Sequence, residues 1–248
     1  MTIMRYVIIA GLGLTALTVL APAQEKTAGP AVTIVLGSRH GHATPARQGC
    51  THTGGGNIDV AQPAPDTVIV TMTGVAVACG HPCKDSLAAL SFDLEQCFEV
   101  RFEDAKLKQA KLTLEARVIG LLRSHCKGSA EQDQACATVI CGPLPVATVC
   151  APPHSVAAGE SLSVNCREGP VAAPIGPGPH TLHQTFAVRA THPHTLVPCK
   201  AASAEFAPDP ALDPLWISYW EPFHGAAKKD FGFQVVVKVA AETNSNGK

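Results

Sequence analysis

Between residues 90 and 103 the chain reads LSFDLEQCFEVRFE, and apolar and polar side chains alternate through it. Leu90, Phe92, Leu94, Phe98, Val100 and Phe102 share one parity; Asp93, Glu95, Glu99, Arg101 and Glu103 share the other. A period of two is that of a β-strand with one face in a core and one in water. Gln96 interrupts the apolar face and Cys97 the wet one. LTLEARVIGLL (112–122) alternates too, with Leu112, Leu114, Ala116, Val118 and Leu122 on one face. The short interval between these stretches predicts a hairpin, with Arg101 opposite Glu115, Glu99 opposite Arg117 and Asp93 opposite Arg123. Such cross-strand ion pairs contribute about 0.2–1 kcal/mol each, enough to bias a register.

The same reading finds strands at AVTIVL (31–36), TVIVTMTGVAVA (67–78), SLSVNC (161–166), TLHQTFAVRA (181–190) and ASAEFA (202–207). In 67–78 the valines change parity after Gly74, the pattern expected of a β-bulge there. LWISYW (215–220) and FGFQVVVKV (231–239) read as a closing hairpin, with Phe231, Phe233, Val235, Val237 and Val239 on one face. Residues 37–57 are polar and Gly-containing and read as a loop, with Gly54–Gly56 as a turn. Residues 124–160 hold four cysteines and four prolines and read as a loop-rich stretch with one strand. REGPVAAPIGPGP (167–179) is too rich in Pro and Gly for a central strand.

No stretch carries a sustained helical period. Many short strands separated by turn signals predict an all-β fold, an antiparallel two-sheet β-sandwich of about 9–11 strands. One sandwich domain over 31–241 is expected, with flexible tails at 24–30 and 242–248. The alternative is two sandwiches split near 150–160.

The N-terminus adds an address. Arg5, the apolar run VIIAGLGLTALTVL (7–20) and the small-x-small APA before Gln24 have the three parts of a cleaved signal peptide, residues 1–23. The run is shorter than the ~20 residues a membrane helix needs. A secreted or periplasmic protein with no membrane span after cleavage is therefore expected. All ten cysteines follow this segment: Cys50, Cys79, Cys83, Cys97, Cys126, Cys136, Cys141, Cys150, Cys166 and Cys199. An even number in an exported chain reads as disulfides, although spacing does not give their connectivity. The net charge of −1, without basic clusters, offers nothing to nucleic acid or to an anionic membrane.

Three sets of residues suggest chemistry. His40 and His42, with Cys50 and His52 close behind, have the residue types that bind Zn or Cu, and residues two apart on a strand project to one side. A bridged Cys50 would leave His40, His42 and His52. His192 with His194, and His81 with Cys83, are weaker pairs of the same kind. Trp216 and Trp220 share a parity, with Tyr219 between them. Such rings belong to a core, as Trp does on average, or they stack on sugars. HTGGG (52–56) has the composition of an oxyanion loop but lacks the G-x-S-x-G elbow and α/β scaffold that go with one. No H-E-x-x-H motif and no N-x-S/T sequon occurs.

The expectation is an exported, non-enzymatic binding or structural module of the cell envelope, with no cofactor and with an envelope or extracellular protein or a glycan as partner. The alternatives are a carbohydrate-binding module using Trp216 and Trp220, and a His-ligated metal-binding protein.

Overall fold

The computed structural model describes residues 31–125, 127–196, 201–207 and 231–242. They form twelve strands: β1 (Val32–Gln48), β2 (Thr51–Ala64), β3 (Thr67–Ala78), β4 (Ser86–Phe102), β5 (Ala110–Ser124), β6 (Ser129–Cys141), β7 (Leu144–Cys150), β8 (His154–Val156), β9 (Ser161–Ile175), β10 (Gly178–His192), β11 (Ala202–Phe206) and β12 (Gly232–Ala241). Every pairing is antiparallel. One six-stranded sheet, here sheet A, has the order β1-β4-β10-β6-β7, with β8 also on β6. Sheet B has the order β11-β3-β12-β5-β9, with β2 also on β3. The fold is the all-β, two-sheet arrangement expected. Strands before and after 150–160 share both sheets, as β6 and β10 do in sheet A. Among the described residues no helix is long and apolar enough to cross a membrane. The signal-peptide segment, Cys126, Cys199, Trp216, Tyr219 and Trp220 lie outside them.

The expected β4–β5 hairpin does not form. β4 lies between β1 and β10 in sheet A, whereas β5 lies among β12, β9 and β11 in sheet B. Arg117 is opposite Gln234 and Arg167, not Glu99. Glu99 instead pairs with Arg101 two residues on, at 2.8 Å, and Glu115 with Arg167 at 2.6 Å. Both strands need a cover for one apolar face, and each finds it in a different strand of the opposite sheet, β4 against β3 and β5 against β6.

Residues 37–57 are another correction. They are mostly strand, with the turn confined to Gly49 and Cys50, where Gly49 has φ +77°. β1 is an edge strand bonded to β4, and β2 is bonded to β3. Such strands need no alternation of their own, because much of their surface faces water. The glycine triplet is a bulge rather than a turn: the β2–β3 register shifts between Gly54 and Asn57. β1 shifts likewise between Leu36 and Arg39. That shift accounts for Gln96, which is buried beneath it. Its amide donates to Cys97 O at 2.7 Å, Gly37 O at 3.3 Å and Ser38 O at 3.4 Å. The stretch expected to be loop-rich holds β6, β7 and β8. The Pro-rich stretch continues β9, which sits at an edge where a missing N–H costs no ladder bond.

The core joins the sheets through four phenylalanines. Phe186 of β10 lies 5.7 Å from Phe92 of β4, and 5.5 Å from both Phe206 of β11 and Phe233 of β12. Gly74 does not carry the bulge expected of it. β3 keeps its parity, with Val68, Val70, Met72, Ala76 and Ala78 all in the main core. A Cβ at Gly74 would stand 2.6 Å from Leu90 and 2.7 Å from Phe92, so glycine is required by the opposite sheet. Val75 and Val77 are buried on the other face of β3, in a small cluster with Ala201 and Ala207.

β11 and β12 share one lane of sheet B. β11 lies opposite Gly74–Ala78 of β3, and β12 opposite Thr67–Met72. The chain leaves the lane at Ala207 and re-enters it at Phe231. Gly232, at φ +139°, makes the re-entry. Phe231 therefore leaves the face of Phe233, Val235, Val237 and Val239, and packs with Ile119 and Leu121 on the outside of the sheet.

Candidate ligand-binding cleft

The register of sheet B brings polar side chains into rows on its outer face. Asp59 of β2 is opposite Thr71 of β3, Thr71 is opposite Gln234 of β12, and Gln234 is opposite Arg117 of β5. At the usual inter-strand spacing the row spans about 14 Å. The next row begins with Asn57 opposite Thr73 and ends with Gly232 opposite Ile119. Gly232 has no side chain, so this second row has a gap where the first does not. A Cβ there would stand 2.7 Å from Met72 O.

The result is a cleft of about 380 Å³, lined by Asn57, Asp59, Thr71, Thr73, Arg117 and Gln234, with Ile119 and Phe231 as its apolar side. It presents a carboxylate, two amides, two hydroxyls and a guanidinium. These groups offer both donors and acceptors at the spacing of adjacent strands. Its size falls within the range of small-molecule sites.

β2 also walls a second opening, along the seam where its edge meets β1. That space, about 540 Å³, is lined by Arg39, His42, Asn57, Ile58, Asp59 and Leu94, among others. Toward one end Arg47 of β1 bridges to Thr53 of β2, through Nε to Oγ1 at 2.5 Å and a second N–H to the carbonyl at 2.9 Å. Gln62 donates to Ile34 O at 2.6 Å near the other end. Asn57 and Asp59 line both openings, and they follow the glycine bulge directly. The stretch HTGGGNID therefore matters as a wall, not as an oxyanion loop.

The histidines are distributed differently. His40 and His42 are opposite Glu95 and Asp93 on the exposed outer face of sheet A. In the next strand His183 Nε2 lies 3.0 Å from Asp93 Oδ1. His52 is opposite Val77, on the outer face of sheet B. The structure thus joins His40 with His42 and separates both from His52. Among the described residues no group of three or more His, Cys, Asp or Glu side chains is arranged to hold a metal ion. His192 is buried, with Nδ1 2.8 Å from Pro193 O, whereas His194 is exposed and pairs with Asp85. The His194 backbone N–H, donating at 2.7 Å, and its ring hold the Asp85 carboxyl below the usual carboxylate range.

Of the cysteines, Cys136 and Cys150 form a disulfide across β6 and β7, with Cα atoms 4.1 Å apart. Cys97 lies on the outer face of sheet A, 4.0 Å from the Thr181 hydroxyl. Cys83 and Cys141 are exposed. Cys166 donates to Glu168 at 3.3 Å, and burial, then this carboxylate, raises its pKa.

The polar cleft residues were not singled out by sequence. Their signal was weak but present: Thr71, Arg117 and Gln234 occupy the polar parity of otherwise apolar strands. What sequence did not supply was the β2-β3-β12-β5 order that lines them up. The fold and cleft define a two-sheet antiparallel sandwich with a polar cleft on the outer face of one sheet. No family model, curated protein or solved structure matches the chain.

Proposed function

We propose that the protein is an exported, non-enzymatic binding module of the cell envelope, and that the cleft on sheet B takes a polar, hydroxyl-rich ligand of the glycan class. The observation that carries this reading is the row Asp59–Thr71–Gln234–Arg117 beside the gap at Gly232. A carboxylate and amides bond pairs of sugar hydroxyls in both directions, as donor and as acceptor, while a guanidinium adds fixed donors. Export is supported by Arg5, the apolar run at 7–20 and the APA pattern. The Cys136–Cys150 disulfide fits an oxidising compartment.

The test is calorimetric titration of the purified protein with a panel of mono- and oligosaccharides, repeated on Asp59→Ala and Gln234→Ala. At least one glycan is expected to bind, and each variant to weaken it roughly tenfold, which is about 1.4 kcal/mol. No heat from any glycan, or binding that both variants leave unchanged, contradicts the reading.

A further inference from the structure

The corner between β1 and β2 brings Cys50 against Cys79, the residue that follows β3. Thr51 is opposite Ala78, so the next pair outward is Cys50 and Cys79. The Cys79 N–H donates to Cys50 O at 2.8 Å, one of the two bonds of a hydrogen-bonded antiparallel pair, while the Cys50 N–H goes to Ser86 Oγ. Such pairs hold their Cα atoms about 5.5 Å apart, within the range a disulfide spans. Cys136 and Cys150, which are bridged, also stand directly opposite each other on neighbouring strands. The two thiols at the corner are in contact. Burial first, and then the neighbouring Cys50, push the Cys79 thiol up from 9.0 to about 11.

We propose that Cys50 and Cys79 form a second disulfide. Its place gives it a task. Cys50 lies where the chain crosses from sheet A to sheet B, and its N–H donates to Ser86 Oγ at 3.0 Å, at the start of β4 where the chain has crossed back. A bond from Cys50 to Cys79 therefore ties both crossings together and anchors the end of β2, the strand that walls the cleft. The inference rests on register and contact, and holds whether or not the cleft binds a glycan.

The chemistry is thiol–disulfide exchange with a small or protein disulfide as oxidant. Cys50 is the exposed member, and its thiolate attacks the oxidant to give a mixed disulfide and one free thiol. The Cys79 thiolate then displaces the second thiol. Two cysteine thiols lose two protons and two electrons, and the oxidant is reduced to two thiols.

The purified full chain is equilibrated in a glutathione redox buffer, blocked with N-ethylmaleimide while denatured, and cut with trypsin and Asp-N. Cleavage after Arg47 and Lys84 and before Asp59 and Asp66 separates fragment 48–58, with Cys50, from fragment 66–84, with Cys79 and Cys83. The expected product is the two fragments joined, with tandem mass spectrometry placing the bond at Cys79. Cys83→Ser is expected to keep this product and Cys79→Ser to lose it, freeing Cys50 for the blocking reagent. Fragments that stay separate and fully blocked in the oxidised wild type, or a bond from Cys50 to any other cysteine, overturn the assignment. Because mapping is done on the wild type, a variant that folds poorly does not weaken the test.

Discussion

The outer faces of the two sheets differ in kind. On sheet A the outward residues of β4 and β10 are mostly polar and at least partly exposed, among them Asp93, Glu95, Glu99 and Arg101 in β4 and Thr181, His183 and Thr185 in β10. On sheet B, outward positions include Val75, Val77, Ile119, Leu121 and Phe231, all buried. Sheet A is mostly apolar inside, with Gln96, Gln132 and Gln184 buried among the apolar side chains, and wet outside. Sheet B is apolar on both sides for part of its length, and its polar cleft lies beside that apolar patch. An alternating strand reports one wet face, whereas runs such as VAVA and VIGLL report two covered ones. The face that is partly covered is the one that also encloses a cavity.

This contrast can be probed by substitution, starting with the element the sheets share. Phe186→Ala removes the ring that meets Phe92, Phe206 and Phe233. A loss of about 3–5 kcal/mol is expected in denaturant unfolding. Ile119→Ala, on the outer face of sheet B, should cost about 2–4 kcal/mol, while Glu95→Ala, on the outer face of sheet A, should stay within about 0.5 kcal/mol. Equal effects from these two would erase the distinction between the faces. Gly74→Ala forces a methyl against Leu90 and Phe92, and about 1–3 kcal/mol of destabilisation is expected from overpacking. Thr138→Ala removes the 3.0 Å contact with Thr148 on sheet A and should cost about 0.2–1 kcal/mol.

The smallest effect is one of pH, in the reduced protein. Folding keeps the Cys79 thiol protonated up to about 11, against 9.0 for an unfolded thiol. The folded state then holds more protons across that window, so this contribution is full below about pH 9 and is lost as pH rises through 11. Melting curves of the reduced wild type should fall more steeply over this window than those of reduced Cys79→Ala. Parallel curves would remove Cys79 as the cause.

Periodicity marked the strands with a clear core face, because burial on one side imposes a period of two. It identified β3, β4, β5, β10 and β12, and the two-sheet class with them. It did not give partners. β4 and β5 alternate equally well, and the charges of Glu99 and Arg117 suit a hairpin, yet the two strands lie in opposite sheets. Edge strands were the other blind spot. β1 was read only at its start, AVTIVL; beyond it β1 and β2 contain His40-Gly41-His42 and three consecutive glycines, with no pattern to read, because pairing on one side and water around them demand none. The candidate site suffered from both limits. His40 and His42 project together as their spacing implied, but His52 lies on the outer face of the other sheet, since the turn at Gly49 carries the chain there. The cleft residues come from four strands whose order no local pattern encodes.

The central claim is that the ligand surface belongs to sheet B and not to sheet A. Backbone amide NMR shifts recorded while the best-binding glycan is titrated test it most directly. Perturbations are expected to concentrate at Asn57, Asp59, Thr71, Thr73, Arg117 and Gln234, with His40, Asp93 and His183 unmoved. Shifts centred on His40, Asp93 and His183, with the cleft residues silent, would contradict it.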